Sequence, residues 1–156
     1  RAALAELRRM LGVMRRAEAA PELAPQPGLA GLDRLARQVR DAGLPVTVRV
    51  QGEPRPLPAA ADLQAYRIVQ EALTNALRHA GPARAEVLVR YGPEEVVLQV
   101  TDDGRGHDPA ADAGGQGLVG MRERVAVVGG DLTAGTRPEG GFAVVARLPI
   151  DGAERA

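Results

Sequence analysis

The feature that most constrains the fold is one long helical segment between short segments of strand pattern. Pro58 suits the first turn of a helix that runs through residues 58–79. Before it, apolar and polar residues alternate over 46–50, which predicts a half-buried strand. After it, 85–91 and 95–102 predict two strands joined as a hairpin. The chain therefore mixes helix and sheet in one unit.

The remaining segments complete an α+β pattern. An amphipathic helix is predicted from Leu29 to Gly43, a second from about residue 117 to 128, and a hairpin from 131–136 and 141–150. The count is about five strands and three helices. Their order is the one expected for a mixed sheet covered on one face by helices.

The ends of the chain predict the domain boundaries. Residues 1–20 place apolar side chains at alternating spacings of three and four, which is typical of a helical bundle seam, namely Leu4, Leu7, Leu11 and Met14. The alternative is a terminal helix folded back on its own domain. Residues 21–28 are a proline-rich linker, 29–150 form the main domain and 151–156 a tail.

Composition excludes several kinds of site. At 156 residues the chain supports one domain with an appended element. Its formal charge is zero, so no long-range electrostatic field indicates a nucleic-acid partner. All 20 basic residues are Arg and there is no Cys, which excludes a P-loop lysine, a Schiff-base lysine and thiolate metal sites. Phosphate charge must therefore meet Arg, a metal ion or backbone N–H groups.

Four polar residues share one stripe of the long helix. Positions 71, 75, 78 and 79 are offset by nearly whole turns and carry Glu71, Asn75, Arg78 and His79. A carboxylate and an amide oxygen one turn apart suit Mg²⁺, which takes few protein oxygens and completes its octahedron with water and phosphates. The alternative is an ordinary solvated helix face.

Two glycine clusters follow the helix. The first is Asp102-Asp103-Gly104-Arg105-Gly106, in which a carboxylate at a strand end can accept from an exocyclic amine such as adenine N6. The second is Gly115-Gln-Gly117-Leu118, directly before a helix whose first N–H groups can hold phosphate without lysine. The segment between them lacks periodicity and predicts a mobile lid, with His107 a solvated loop residue.

In this order the three motifs resemble the N, G1 and G2 boxes of the ATP-binding fold shared by sensor histidine kinases, gyrase, Hsp90 and MutL. The resemblance covers roughly residues 57 to 150. Two segments resemble most closely the kinases related to the nitrate and lipid-fluidity sensors. They are Glu-Ala-Leu-Thr-Asn-Ala-Leu-Arg-His-Ala and Gly-Leu-Val-Gly-Met-Arg-Glu-Arg-Val. The resemblance implies a two-layer sandwich, with about five mostly antiparallel strands covered on one face by about three helices.

The resemblance also implies a site. ATP and Mg²⁺ are the expected cofactors. Glu71 and Asn75 are the expected catalytic and metal-site residues, with Asn75 as the metal ligand and Glu71 beside it orienting water or the attacking group. The expected nucleotide-binding residues are Asn75, Arg78, His79, Asp102, Gly104, Gly106, Gly115, Gly117 and Leu118. Arg78 replaces the usual Lys. Gly140-Gly141-Phe142 resembles a further, last box of the family that usually carries Gly-Thr, and Phe142 at the Thr position exchanges a polar contact near the base for packing.

The implied function is donation of the γ-phosphoryl group to a histidine on a dimerisation domain, because neither His79 nor His107 has the context of the phosphoacceptor. The expected partners are that domain and a response regulator, in a homodimeric parent with no nucleic-acid partner. The location expected is cytoplasmic, whether or not the parent has a membrane anchor. The alternatives are an anti-sigma-factor-type serine kinase and a non-catalytic ATP-sensing module.

Overall fold

The computed structural model describes residues 27–79, 81–105 and 116–150. The interpretations of residues 1–20, of most of the linker and of the tail lie outside this range. Within it, a 3₁₀ turn at Leu29–Gly31 leads into helix α1 (Leu32–Asp41), followed by strand β1 (Val46–Gln51) and helix α2 (Ala59–His79). Then come β2 (Ala85–Tyr91), β3 (Glu95–Asp102), α3 (Gln116–Val127), β4 (Asp131–Thr136) and β5 (Phe142–Pro149).

The five strands form one mixed sheet in the order β1-β2-β3-β5-β4. Strands β1 and β2 are parallel, as the crossover through α2 requires, and every other pair is antiparallel. The predicted fold class is confirmed, including both hairpins. The predicted first helix is a 3₁₀ turn and a helix in succession, because Gly31 interrupts the segment.

Strand alternation separates a helix-covered face from an open one. In β3 the residues Val96, Leu98 and Val100 are buried on the covered face, whereas Gln99 on the open face is half-buried. Helix α1 packs over β1, α2 over the middle strands and α3 over β4. The core is aliphatic, and its largest fully buried side chains are Leu35, Ile68, Leu73, Leu98, Met121 and Leu148.

The edge strand β1 is less buried than its alternation predicts. Val46 is buried, but Val50 is 54% exposed. The helix that packs on this edge strand is α1, which ends at Asp41. Among the described residues, no helix combines the length and the apolar content that crossing a membrane would need.

Candidate functional site

The predicted polar stripe is present on α2. Glu71 and Asn75 are half-buried one turn apart, Arg78 is exposed and His79 is half-buried. The opposite side of the helix is buried against the sheet through Val69, Ala72, Leu73 and Ala76. The stripe therefore lies along the margin of the helix layer, where side chains are packed on one side and open on the other.

Gly117 brings the first turn of α3 to this stripe. A Cβ atom at Gly117 would lie 3.6 Å from Glu71 Oε2 and 3.9 Å from Asn75 Nδ2. The next residue, Leu118, is half-buried and packs on the core, which anchors the start of α3. The first N–H groups of a helix have no partners within it, so this turn supplies donors beside a carboxylate and an amide.

Asp102 lies at the end of β3 on the helix-covered face. Alternation puts its side chain on the same face as Leu98 and Val100, and it is 6% exposed. Of the charged side chains in the described ranges, Asp102 alone is in the buried class. Its Oδ1 accepts a hydrogen bond from the Gly104 N–H at 2.9 Å, so the carboxylate has a fixed direction.

Topology brings Asp102 to the same end of the sandwich as the α2 stripe. Helix α2 ends at His79, and β2 begins six positions later at Ala85, which pairs with Asp102. Arg105 lies back across this junction, because a Cβ atom at Gly81 would be 2.9 Å from Arg105 Nε. Three motifs that are far apart in sequence therefore share one end of the domain.

Arg84 and Arg137 bind the end of β3 from its two sides. The Asp103 carboxylate accepts from the Arg84 N–H at 2.7 Å, and Asp103 N–H donates to the Arg84 carbonyl at 3.2 Å. From the other side, Arg137 Nη1 donates to the Asp102 carbonyl at 2.9 Å. Sequence reasoning missed Arg137, because its partner is a main-chain oxygen that no residue type or spacing marks.

Phe142 pairs directly opposite Asp102 and is 6% exposed. An apolar ring is therefore packed at the strand position that pairs with Asp102. Gly141, just before it, has a φ of 90° and approaches Asp102 so closely that an added Cβ would lie 1.9 Å from the Asp102 carbonyl oxygen. The β4–β5 turn is therefore closed onto the end of β3.

The β4–β5 turn also carries the pKa shift nearest to the site. Hydrogen bonding to its own backbone N–H, followed by the charge of Arg137, lowers the pKa of the Glu139 carboxyl. Arg137 Nη2 lies 3.3 Å from Glu139 Oε2. The Glu139 carboxylate therefore keeps its charge beside Arg137 to a lower pH than a free glutamate would.

Some expected site residues fall outside the described ranges. Gly106 and Gly115 are among them. His107, predicted as a solvated loop residue, and nearly all of the predicted lid also lie outside these ranges. Gly104 is described and half-buried. The structure therefore brings together Glu71, Asn75, Gly117 and the end of β3, and leaves the lid as an expectation.

Comparison with known proteins identifies the family. Residues 60–152 match the family model for the histidine kinase-, DNA gyrase B- and HSP90-like ATPases. The chain belongs to this ATPase family.

The chain is also similar to two sensor kinases. It is 30% identical over 151 residues to the signal transduction histidine-protein kinase/phosphatase DegS of Brevibacillus brevis, covering 96% of this chain and 38% of that protein. It is 34% identical over 111 residues to the sensor histidine kinase LnrJ of Bacillus subtilis strain 168, covering 71% of this chain and 27% of that protein. The chain thus spans about a third of the length of these relatives.

A solved structure shares the fold and most of the chain. The histidine kinase domain of the blue-light activated histidine kinase EL346 from Erythrobacter litoralis superimposes with a TM-score of 0.62 at 26% identity. The match covers 93% of this chain and 79% of that one. The predicted family is therefore confirmed, as is the ATP-binding type of the domain.

Proposed function

We propose that this chain is the catalytic domain of a sensor histidine kinase, which binds Mg²⁺-ATP and donates the γ-phosphoryl group to a histidine on a dimerisation domain. The observation that supports this most directly is the placement of Gly117 against Glu71 and Asn75, at the end of the sandwich where Asp102 lies buried. Metal ligands, phosphate donors and a base-reading carboxylate are then within one region.

The donor set fits a magnesium ion shared with nucleotide phosphates. An added Cβ at Gly117 would make only ordinary contacts with Glu71 Oε2 and Asn75 Nδ2, so the Glu71 carboxylate and the Asn75 side-chain amide both border Gly117. Mg²⁺ takes one or two protein oxygens and keeps water and phosphate for the rest. When bound, the ion would neutralise phosphate charge; Asn75 would ligate it and Glu71 would orient the attacking group.

Phosphate binding must proceed without lysine, since all basic residues are Arg. The N–H groups at the start of α3 are the proposed phosphate donors, with Leu118 anchoring that turn. Exposed Arg78 would supply charge near the phosphates, and half-buried His79 would lie beside them. Gly104, Gly106 and Gly115 complete the proposed nucleotide contacts.

Asp102 is the proposed selector of adenine. A buried carboxylate fixed by the Gly104 N–H accepts from the N6 amine of adenine and repels the carbonyl of guanine. A hydrogen bond to a charged group is worth about 1.5–3 kcal/mol, which is roughly a 10- to 150-fold difference in affinity.

In the whole protein we propose a cytoplasmic location for this domain, a homodimeric parent and a response regulator as the final acceptor. The domain itself would contribute positioning and charge neutralisation, as phosphoryl transfer generally requires.

The binding test compares Asp102→Asn with Asp131→Asn, which makes the same change at an exposed position at the start of β4. Calorimetry with ATP and GTP should show a loss of roughly 10- to 150-fold in ATP affinity for the first variant and little change for the second. Equal affinity for ATP and GTP in the unmodified chain would contradict the adenine assignment.

The magnesium test compares Asn75→Ala with Gln99→Ala, an amide on the open face of the sheet. Thermal stabilisation by ADP is measured with and without Mg²⁺. Asn75→Ala should lose the magnesium increment and keep the fold, whereas Gln99→Ala should keep both. A full increment in Asn75→Ala would mean that Asn75 is not the ligand.

The transfer test uses labelled ATP with this chain alone and with a histidine-bearing bundle segment added in cis or in trans. We expect negligible self-phosphorylation alone and acid-labile label on the added histidine. Acid-stable label on a partner would indicate serine phosphorylation instead, and binding without any transfer would indicate a sensing module. Strong label on His79 or His107 would contradict the proposal.

A further inference from the structure

Arg137 opens the turn between β4 and β5 but does not serve that turn alone. Its main chain closes the turn, with Arg137 N–H donating to the Gly141 carbonyl at 2.9 Å and Gly140 N–H donating to the Arg137 carbonyl at 3.0 Å. Its side chain leaves the turn. Nη1 reaches the carbonyl oxygen of Asp102, 35 positions away in sequence, at 2.9 Å.

The Arg137 guanidinium is partly buried and has two partners, although it belongs to a turn residue. The Arg137 side chain is 25% exposed, and Nη2 lies 3.3 Å from Glu139 Oε2, a carboxylate that is itself 65% exposed. In two other arginine–carboxylate pairs, Arg49–Glu86 and Arg147–Glu95, the arginine side chain is more exposed, at 55% and 56%. Arg137 thus combines a partly shielded cation with a main-chain acceptor.

The bond to the Asp102 carbonyl constrains the backbone that directs the Asp102 carboxylate. Fixing this oxygen fixes the peptide plane after Asp102, and with it the path to Gly104, whose N–H holds Asp102 Oδ1 at 2.9 Å. Gly141 crowds the same carbonyl oxygen from the β5 side. On the β2 side, Asp103 is bonded to Arg84. Arg137 is the side chain that joins the β4–β5 turn to this strand end.

We propose that Arg137 is a positioning residue for the nucleotide site, acting through the Asp102 main chain to set the selectivity for adenine over guanine. This rests on the proposed function, because it takes Asp102 as the base-reading carboxylate. The planar guanidinium can bond the carbonyl and Glu139 together through separate nitrogens, whereas the single ammonium of lysine cannot match that geometry.

The experiment compares Arg137→Ala and Arg137→Lys with Arg147→Ala and Glu139→Gln. Arg147 is a matched control, since it lies on β5 of the same sheet and pairs with Glu95 at the surface. Calorimetry gives the affinities for ATP and GTP, and thermal unfolding without nucleotide gives stability. Circular dichroism at the assay temperature verifies that each variant is folded.

We expect Arg137→Ala to lower ATP affinity about tenfold and to reduce the ATP-to-GTP affinity ratio, since a bond to a charged donor is lost. Arg137→Lys should fall between it and the unmodified chain. Arg147→Ala and Glu139→Gln should stay within about twofold for both nucleotides, as exposed pairs contribute little.

Two outcomes would overturn the proposal. If both Arg137 variants lower only thermal stability and leave the affinity ratio unchanged, the residue serves the turn alone. If Arg137→Ala matches Arg147→Ala while Asp102→Asn loses ATP binding, the positioning role is wrong and the proposed function stands. No effect of Asp102→Asn would instead contradict the proposed function itself.

Discussion

The close approach of Gly141 to Asp102 gives a prediction with an internal control. Gly140 and Gly141 are adjacent and both have left-handed φ angles, 103° and 90°. A Cβ at Gly140 would meet nothing within 4 Å, whereas a Cβ at Gly141 would lie 1.9 Å from the Asp102 carbonyl oxygen and 3.0 Å from Asp103 Cα. The variants Gly140→Ala and Gly141→Ala therefore share the backbone strain and differ in the collision.

The magnitudes follow from that difference. Alanine at a left-handed φ costs about 1–3 kcal/mol at either position. At Gly141 the new methyl must also displace the end of β3, and overpacking of this kind costs a further ~1–3 kcal/mol. For a domain of this size 1 kcal/mol lowers Tm by roughly 2–4 °C, so Gly141→Ala should melt about 2–12 °C below Gly140→Ala.

The assay is thermal unfolding followed by circular dichroism without nucleotide, then ATP calorimetry at a temperature where both variants are folded. Gly140→Ala should bind ATP within about twofold of the unmodified chain, since an exposed position away from the strand end has little effect. Gly141→Ala should bind more weakly, because Asp102 moves with its carbonyl. Equal melting temperatures and equal ATP affinities in the two variants would refute the close contact and the reasoning built on it.

Two further predictions concern the core and the tyrosines. Leu73→Ala, at a fully buried position on α2, should lower the free energy of unfolding by about 2–5 kcal/mol in a denaturant titration, whereas Val127→Ala, at a position 84% exposed, should change it by no more than about 0.5 kcal/mol; equal losses would contradict the packing described. Burial raises the pKa of Tyr66 against the opposing charges of Arg34 and Arg67, and burial followed by the Asp62 charge raises that of Tyr91. The stability that the neutral phenols contribute is thus complete below their ordinary pKa and is lost as pH rises through the raised pKa values. Each single Tyr→Phe variant leaves one tyrosine, whose tyrosinate absorbance should titrate at a higher pH than that of a free phenol. A titration midpoint equal to that of the free phenol would contradict this prediction.

Much of the fold could be predicted from sequence because the signals were local. Alternation, helical periodicity and glycine or proline at the ends located the five strands and two of the helices within one residue, and the first helix within three. The parallel pairing of β1 with β2 and the position of β5 between β3 and β4 do not follow from such local patterns. Pairing depends on which strands meet in space, and the aliphatic strands of this chain carry no pattern that distinguishes one partner from another.

The site was predictable to the extent that its residues form recognisable spacings. Glu71 and Asn75 lie one turn apart, and Asp102 precedes a glycine motif, so each could be named from sequence. The contact of Gly117 with the α2 stripe required the packing of α3 on α2. Arg137 could not be found, because its acceptor is a backbone oxygen. The roles of the named residues remain predictions.

The strand order has a consequence for how the domain is completed during synthesis. Strands β1 to β3 and helix α2 leave the ribosome first and can pair in sequence, but β5 is the last of the described strands and still lies inside the sheet. Until it emerges, β3 exposes an unpaired edge and β4 has no neighbour. Phe142, Gly141 and the end of β3 come together only at that last insertion. The growing chain therefore contains the polar residues of α2 well before the nucleotide site can form. The strand edge left open to incorrect pairing during this time is that of β3, which later contributes to the site.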